Sequence, residues 1–183
     1  MAYTSWSVIY GEQPSASKWN ILGTNDASFN DGTGFQNGAT LKSNPYKMSA
    51  YNATNQTGVT SNTWTTATLG TEEFDNNNNF TSSVYTVPVA GYYLITGQIY
   101  MDSSPGLIQG AGARIYKNNS TAILQNYMYD NNVSVDAWSP SVTGIFKLAA
   151  NDTIRLQGDY VMSSGTATFA ATHTRLSIHC ISI

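Results

Sequence analysis

Glu72, Glu73 and Asp75 stand within four residues of one another in EEFDNNNN, a dense cluster of acids in a weakly charged chain. Acids this close could act as the paired carboxylates of a glycosidase or offer hard oxygen ligands to a cation. YDNNVSVD, from Tyr129 to Asp136, supplies the same kinds of oxygen. Neither stretch has the ligand spacing of a dedicated calcium loop, and short runs of Asn and Asp are common turn formers. Both are therefore read as solvated loops, and no metal site is assigned. A hydrolase would also need an acidic pair across a cleft, or a nucleophile with a base and an orienting acid. Ser and Thr are abundant because the surface is made of them, and no nucleophile-elbow pattern occurs. The expectation is a protein that is not an enzyme and needs no cofactor. A polysaccharide hydrolase using Glu73 or Asp75 stands as an alternative.

QNYMYDNN is the more promising surface. Tyr127 and Tyr129 share a strand parity opposite to that of Leu124 and Met128, and Asp130 and Asn131 follow at once. Flat apolar rings beside short polar groups are what a glycan-binding groove requires. The competing reading packs both rings inside an assembly. Trp138, Tyr160 and Tyr116 are open in the same way. Cys180 is the only cysteine, which rules out an internal disulfide and a Cys-based zinc site, and it reads as a small apolar residue of a core strand. Asn-x-Ser/Thr triplets at Asn52, Asn55 and Asn79 are expected by chance in so Asn- and Thr-rich a chain.

The elements that must hold these residues follow from composition. Of 183 residues 41% are hydrophobic and only 10% charged, against about a quarter charged in an ordinary domain. Asn, Thr, Ser and Gly carry the missing polarity, and they favour strands and loops over helices. A net charge of -3 with 8 Lys and Arg gives no basic stripe, so nucleic acid is not an expected partner. No apolar run reaches membrane-spanning length and MAYTSWSVIYGEQ lacks a signal-peptide pattern, so neither membrane insertion nor ordinary export is expected.

GEQPSASKWNILGTNDASFNDG holds the one expected helix, capped by Ser15 or Ser17, with Trp19, Leu22 and Phe29 at helical spacing. It is too short and thinly apolar to stand alone, so Trp6, Trp19, Leu22 and Phe29 are read as docking residues. A Gly/Asn-rich linker follows, and the boundary is placed near Pro45, with residues 1–45 as anchor and 46–183 as the main domain.

Beyond it, strands are expected at 47–52, 63–69, 82–87, 91–101, 108–117, 121–129, 141–148, 152–161 and 172–183, separated by Asn- and Ser-rich turns. In the strand from Gly91 to Met101, period two puts Tyr93, Ile95, Gly97, Ile99 and Met101 on a core face. Tyr92, Leu94, Thr96, Gln98 and Tyr100 fall on the other. The last strand splits likewise, with Leu176, Ile178 and Cys180 against Arg175, Ser177, His179 and Ile181, and both histidines, His173 and His179, are assigned to it.

TVPVAGYYLITGQIYM resembles the Pro-x-x-Gly-x-Tyr strand of the jelly rolls shared by complement globular heads and the tumour necrosis factor superfamily. MSAYN, FDNNNNFTSSVYTV, ARIYKNN, GIFKLAANDTIRLQ and TRLSIHCISI resemble further parts of that fold in the right order. The resemblance spans about 46–183 and implies an all-β, ten-strand jelly-roll sandwich, preceded here by the short helix-containing anchor, and assembly as a homotrimer. It further implies that Tyr92, Leu94, Thr96, Arg175, Ser177 and His179 face the three-fold axis. Arg175 would then need an acidic or carbonyl partner from a neighbour, and His179 reads as a hydrogen-bonded interface histidine. WSVIYGEQPSASKWNILGTNDASFNDG resembles the opening of many bacteriophage virion proteins. Together the resemblances imply a virion surface appendage assembled in a bacterial cytoplasm, a tail fibre with receptor-binding knob or a capsid decoration. Its partners would be other virion proteins and a host surface glycan or protein. The alternative is a non-viral bacterial trimeric module binding carbohydrate or protein.

Overall fold

The computed structural model describes residues 46–183 apart from 104–106, 131 and 133–134, so the expected anchor with Trp6, Trp19, Leu22 and Phe29 lies outside the described residues. The strands are β1 (Lys47–Tyr51), β2 (Thr65–Thr66), β3 (Thr71–Asp75), β4 (Phe80–Thr81), β5 (Val84–Thr86), β6 (Gly91–Gln98), β7 (Met101–Asp102), β8 (Ile108–Lys117), β9 (Thr121–Tyr129), β10 (Ala137–Trp138), β11 (Ser141–Leu148), β12 (Thr153–Met162), β13 (Thr168–Phe169) and β14 (Arg175–Ser182). One sheet runs β11-β6-β14-β1-β3; the second runs β4-β5-β12-β8-β9, with β2 beside β12; a small third sheet, β10-β7-β13, flanks them. The chain passes back and forth between the two large sheets, which makes this an all-β jelly-roll sandwich.

The alternation read from the sequence sets the layers. In β6 and its continuation Tyr93, Ile95, Ile99 and Met101 are fully buried, and in β14 Leu176, Ile178 and Cys180 join them. Ile115, Ile154 and Leu156 of the second sheet close the core. Gly97 marks one place where the sheets press close: a Cβ there would lie 2.6 Å from Leu156 Cδ1 and 3.1 Å from Ile115 Cδ1. Tyr160 belongs to the core and donates its hydroxyl to the Val59 carbonyl at 2.6 Å, and Trp138 packs half-buried against it.

Four expectations are revised. The 63–69 strand shrinks to Thr65–Thr66, because only that stretch pairs with β12. The 91–101 strand breaks after Gln98: the Ile99 amide turns to Pro140, and Met101–Asp102 joins the small sheet. Glu72, Glu73 and Asp75 lie on a strand rather than a loop, since β3 pairs with β1 at the sheet edge. Only Asn76–Asn79 remains a turn there, with Asn78 at φ 53° and the Asp75 carboxylate accepting the Phe80 amide at 2.7 Å. His173 precedes β14 and stacks on Tyr100 with ring centroids 5.2 Å apart.

Turn chemistry fixes the strand ends. Asn118 and Asn119 both have positive φ in the three-residue connection from β8 to β9, the backbone that a primed turn needs and that Asn tolerates. Asp152, 9% exposed, ties that hairpin to the β11–β12 turn by accepting from Asn118 Nδ2 at 2.7 Å, the Ala149 amide at 2.9 Å and Lys117 Nζ at 3.2 Å. The Asn118 hydrogen bond first, then the Ala149 amide and Lys117, hold its carboxyl below the usual range against the opposing effect of burial.

A depressed carboxyl pKa stabilises the fold above the unfolded value of 3.8 and stops doing so as pH falls through the folded one. The urea midpoint should therefore drop less for Asp152→Asn than for the native protein between neutral pH and about pH 2.5; equal drops would remove Asp152 from the acid response. Gly91 gives a second check. Its missing Cβ would lie 2.4 Å from the Ser182 carbonyl oxygen, a backbone atom that cannot step aside, whereas one at Gly70 would meet nothing within 4 Å. Gly91→Ala should cost about 1–3 kcal/mol in urea unfolding, and Gly70→Ala less than about 0.5 kcal/mol. Equal costs would disprove the close-approach explanation of the glycine.

Candidate functional site

Two walls of the sandwich face outward, and they differ in kind. On the five-stranded sheet, pairing lines up cross-strand rows. Ile145, Leu94, His179 and Lys47 form one; Thr143, Thr96, Ser177 and Ser49 the next; Ser141, Gln98, Arg175 and Tyr51 a third. The sheet thus brings all six sequence-predicted interface residues, Tyr92, Leu94, Thr96, Arg175, Ser177 and His179, onto one wall. Its two ends are chemically unlike. At one end Tyr92, Ile145 and Ile181 are 48%, 61% and 51% exposed, with Leu94 at 37% beside them.

The other end is polar and its charges are paired within the chain, although the buried Arg175 Nε has no hydrogen-bond partner. Arg175 Nη2 donates to Glu73 Oε1 at 2.6 Å, Ser49 Oγ donates to Glu73 Oε2 at 2.7 Å, and the Ser49 and Ser177 hydroxyls are 3.0 Å apart. Thr143 donates to Thr96 at 3.3 Å. The acidic partner expected from a neighbour is supplied by the chain's own Glu73, because β3 sits beside β1 and carries that side chain over Ser49. The Ser49 hydroxyl, and then the charge and hydrogen bond of Arg175, hold the Glu73 carboxyl below its ordinary range despite the opposing effect of desolvation.

The second wall is the outward face of β12-β8-β9. Gly110 pairs with Val161 and Tyr129, and Gly112 with Asp159 and Tyr127. The two glycines leave a trough into which the rings lie down: a Cβ on Gly112 would sit 2.4 Å from Tyr127 Cδ2 and 2.7 Å from the Trp64 ring, and one on Gly110 2.6 Å from Tyr129 Cδ2. Trp64 tilts against Tyr127 at 6.0 Å. Arg114 lies between the Trp64 and Tyr116 rings at 4.4 and 4.6 Å, with Nε bound to Gln157 at 2.8 Å. Asp159 is 4% exposed and its Oδ1 has no hydrogen-bond partner. Burial pushes its carboxyl pKa up, opposed by the Thr63 and Tyr160 amides and by Arg114. Burial likewise raises the Tyr127 phenol, and Asp159 and Tyr129 add to it.

Beside these rings runs an open groove of about 530 Å³ lined by Ser61, Asn62, Tyr127, Tyr129, Val161 and Met162. The predicted pair Tyr127 and Tyr129 is thus brought together, half to one-third exposed. Asp130 is not part of the groove lining; its carboxylate accepts the Asn132 amide at 2.8 Å in its own turn, and Asn131 lies outside the described residues. Sequence reasoning missed Ser61, Asn62, Trp64 and Asp159. The alternation Gly110-Ala111-Gly112-Ala113 was the available signal, since it empties one face of a strand while filling the other. Among the described residues no group of three or more His, Cys, Asp or Glu could hold a metal ion.

The sequence matches no protein-family model and no curated protein. Its structure is similar to the globular domain of zebrafish complement 1qA, with a TM-score of 0.53 at 10% identity, covering 74% of this chain and 96% of that one. It is similar also to murine APRIL, with a TM-score of 0.54 at 11% identity, covering 74% and 98%. The chain therefore has a complement-head and tumour-necrosis-factor-like jelly-roll fold.

Proposed function

We propose that this chain is a homotrimeric, non-enzymatic binding module on the surface of a bacteriophage particle, a tail-fibre knob or capsid decoration anchored by residues 1–45. The observation that carries the trimer is the apolar end of the five-stranded wall, where Tyr92, Leu94, Ile145 and Ile181 stand in water in a single chain. Contiguous exposed apolar groups mark an interaction surface, and closed three-fold symmetry buries the patch in every copy without propagating into fibres. The polar end supports the same closure. Arg175 and Glu73 pair their charges within the chain, so covering them leaves no unpaired charge.

Binding rather than hydrolysis is supported by how the acids are used. Glu73 is engaged by Ser49 and Arg175, and Asp75 closes the β3–β4 turn. The virion reading rests on the stretch from Trp6 to Gly32 and its likeness to phage protein openings.

Light scattering on the full chain should give about 59 kDa, three copies of 19.8 kDa. Leu94→Asp should bring it down to the single-chain value with far-ultraviolet circular dichroism unchanged. A native single-chain mass would sink the trimer. For the anchor, Trp19→Ala with Phe29→Ala should keep the trimer mass but abolish incorporation into phage particles; undiminished incorporation would favour a module that is not part of a virion.

A further inference from the structure

We propose that the trough over Gly110 and Gly112 binds a neutral oligosaccharide, with Tyr129 and Tyr127 as its stacking platform; this deepens the binding-module reading and rests on it. Tyr129 is 51% exposed yet packs against Gly110, its Cδ2 2.6 Å from where a Cβ there would stand, so it presents a ring to solvent while seated on the sheet. A ring held in that way suits the C–H face of a pyranose, which needs a flat apolar partner.

Hydroxyl recognition needs polar groups that are already in place, and the groove's rim has them. The Asn62 amide donates to the Tyr160 carbonyl at 2.6 Å, and Ser61 Oγ donates to the same carbonyl at 3.3 Å while accepting the Met162 amide at 3.3 Å. Asn62 sits at φ 59°, a conformation Asn tolerates better than most residues. The rim is therefore positioned by the backbone of β12, and little ordering remains for a ligand to bring about.

Charge selects the class of sugar. None of the six lining residues is charged. Arg114 is stacked between two rings with Nε bound to Gln157, outside the groove lining. Asp159, next to Gly112 in register, is 4% exposed with Oδ1 unpartnered. An acid beside the Tyr127 ring disfavours an anionic ligand. In size the groove of about 530 Å³ falls in the range of small-ligand sites. The aromatic row from Gly110 to Tyr116 runs about 20 Å, the length of several linked sugars.

The test is saturation-transfer NMR on the full chain at millimolar probe, using methyl β-D-galactopyranoside and methyl α-D-glucopyranoside as neutral probes and methyl β-D-glucuronide as the anionic one. Saturation is expected on a neutral glycoside, strongest on ring C–H protons. Affinity should fall about tenfold or more in Tyr129→Ala and persist in Tyr129→Phe. No saturation of either neutral probe, preference for the glucuronide, or unchanged affinity in Tyr129→Ala each overturns the site. Light scattering on the same samples separates the two readings. A Tyr129→Ala chain that loses the native mass would show the ring to be part of the assembly seam and overturn the site, whereas a native single chain that binds sugar refutes the trimer and keeps the groove.

Discussion

How closely the two large sheets approach governs the rest of this molecule. β6 runs between β11 and β14 in its sheet, and near its C-terminal end Gly97 leaves room for Leu156 and Ile115 to reach across from the opposite layer. Core density depends on side chains filling such openings from the far side. Once Tyr93, Ile95 and Ile99 are committed inward, strict alternation sends Tyr92 and Leu94 outward. The apolar wall is therefore a by-product of the same strand that makes the core, and a one-residue slip would exchange the two sets.

Charge is used sparingly and mostly as a fastener. Lys117 with Asp152 joins two turns, and Arg175 with Glu73 joins β14 to β3 across β1. Neutral side chains solvate the remainder, and several do backbone work as well. Asn118 donates to Asp152 and accepts the Thr153 amide, while the Ser83 hydroxyl accepts the Leu69 amide from a positive-φ turn. Such local bonds let a chain with few ions close its loops without exposing unpaired backbone.

The fold was legible because period-two burial is a strong signal in long strands: β6, β8, β9, β11 and β14 lie close to where alternation and turn residues put them. Short pairings were not legible. Thr65–Thr66, Ala137–Trp138 and Thr168–Phe169 are strands only because a partner happens to pass, and two residues carry no periodicity. Acid clustering misled at Glu72–Asp75, where sheet-edge pairing overrode a composition typical of turns. At the site, parity found Tyr127 and Tyr129. Their neighbours Ser61, Asn62 and Asp159 come from distant segments joined through β12, a long-range contact that no local pattern encodes.

The groove and the apolar wall belong to opposite sheets, so they look in opposite directions. In the proposed trimer, with the apolar wall turned toward the three-fold axis, the three grooves would point radially outward, about a third of a turn apart. A flat surface can then meet only one of them at a time. Avidity, which depends on simultaneous engagement, would be gained only on something that can bend around the flank of such an assembly, such as a long flexible polymer, and a smooth, rigid target would be held by one groove alone.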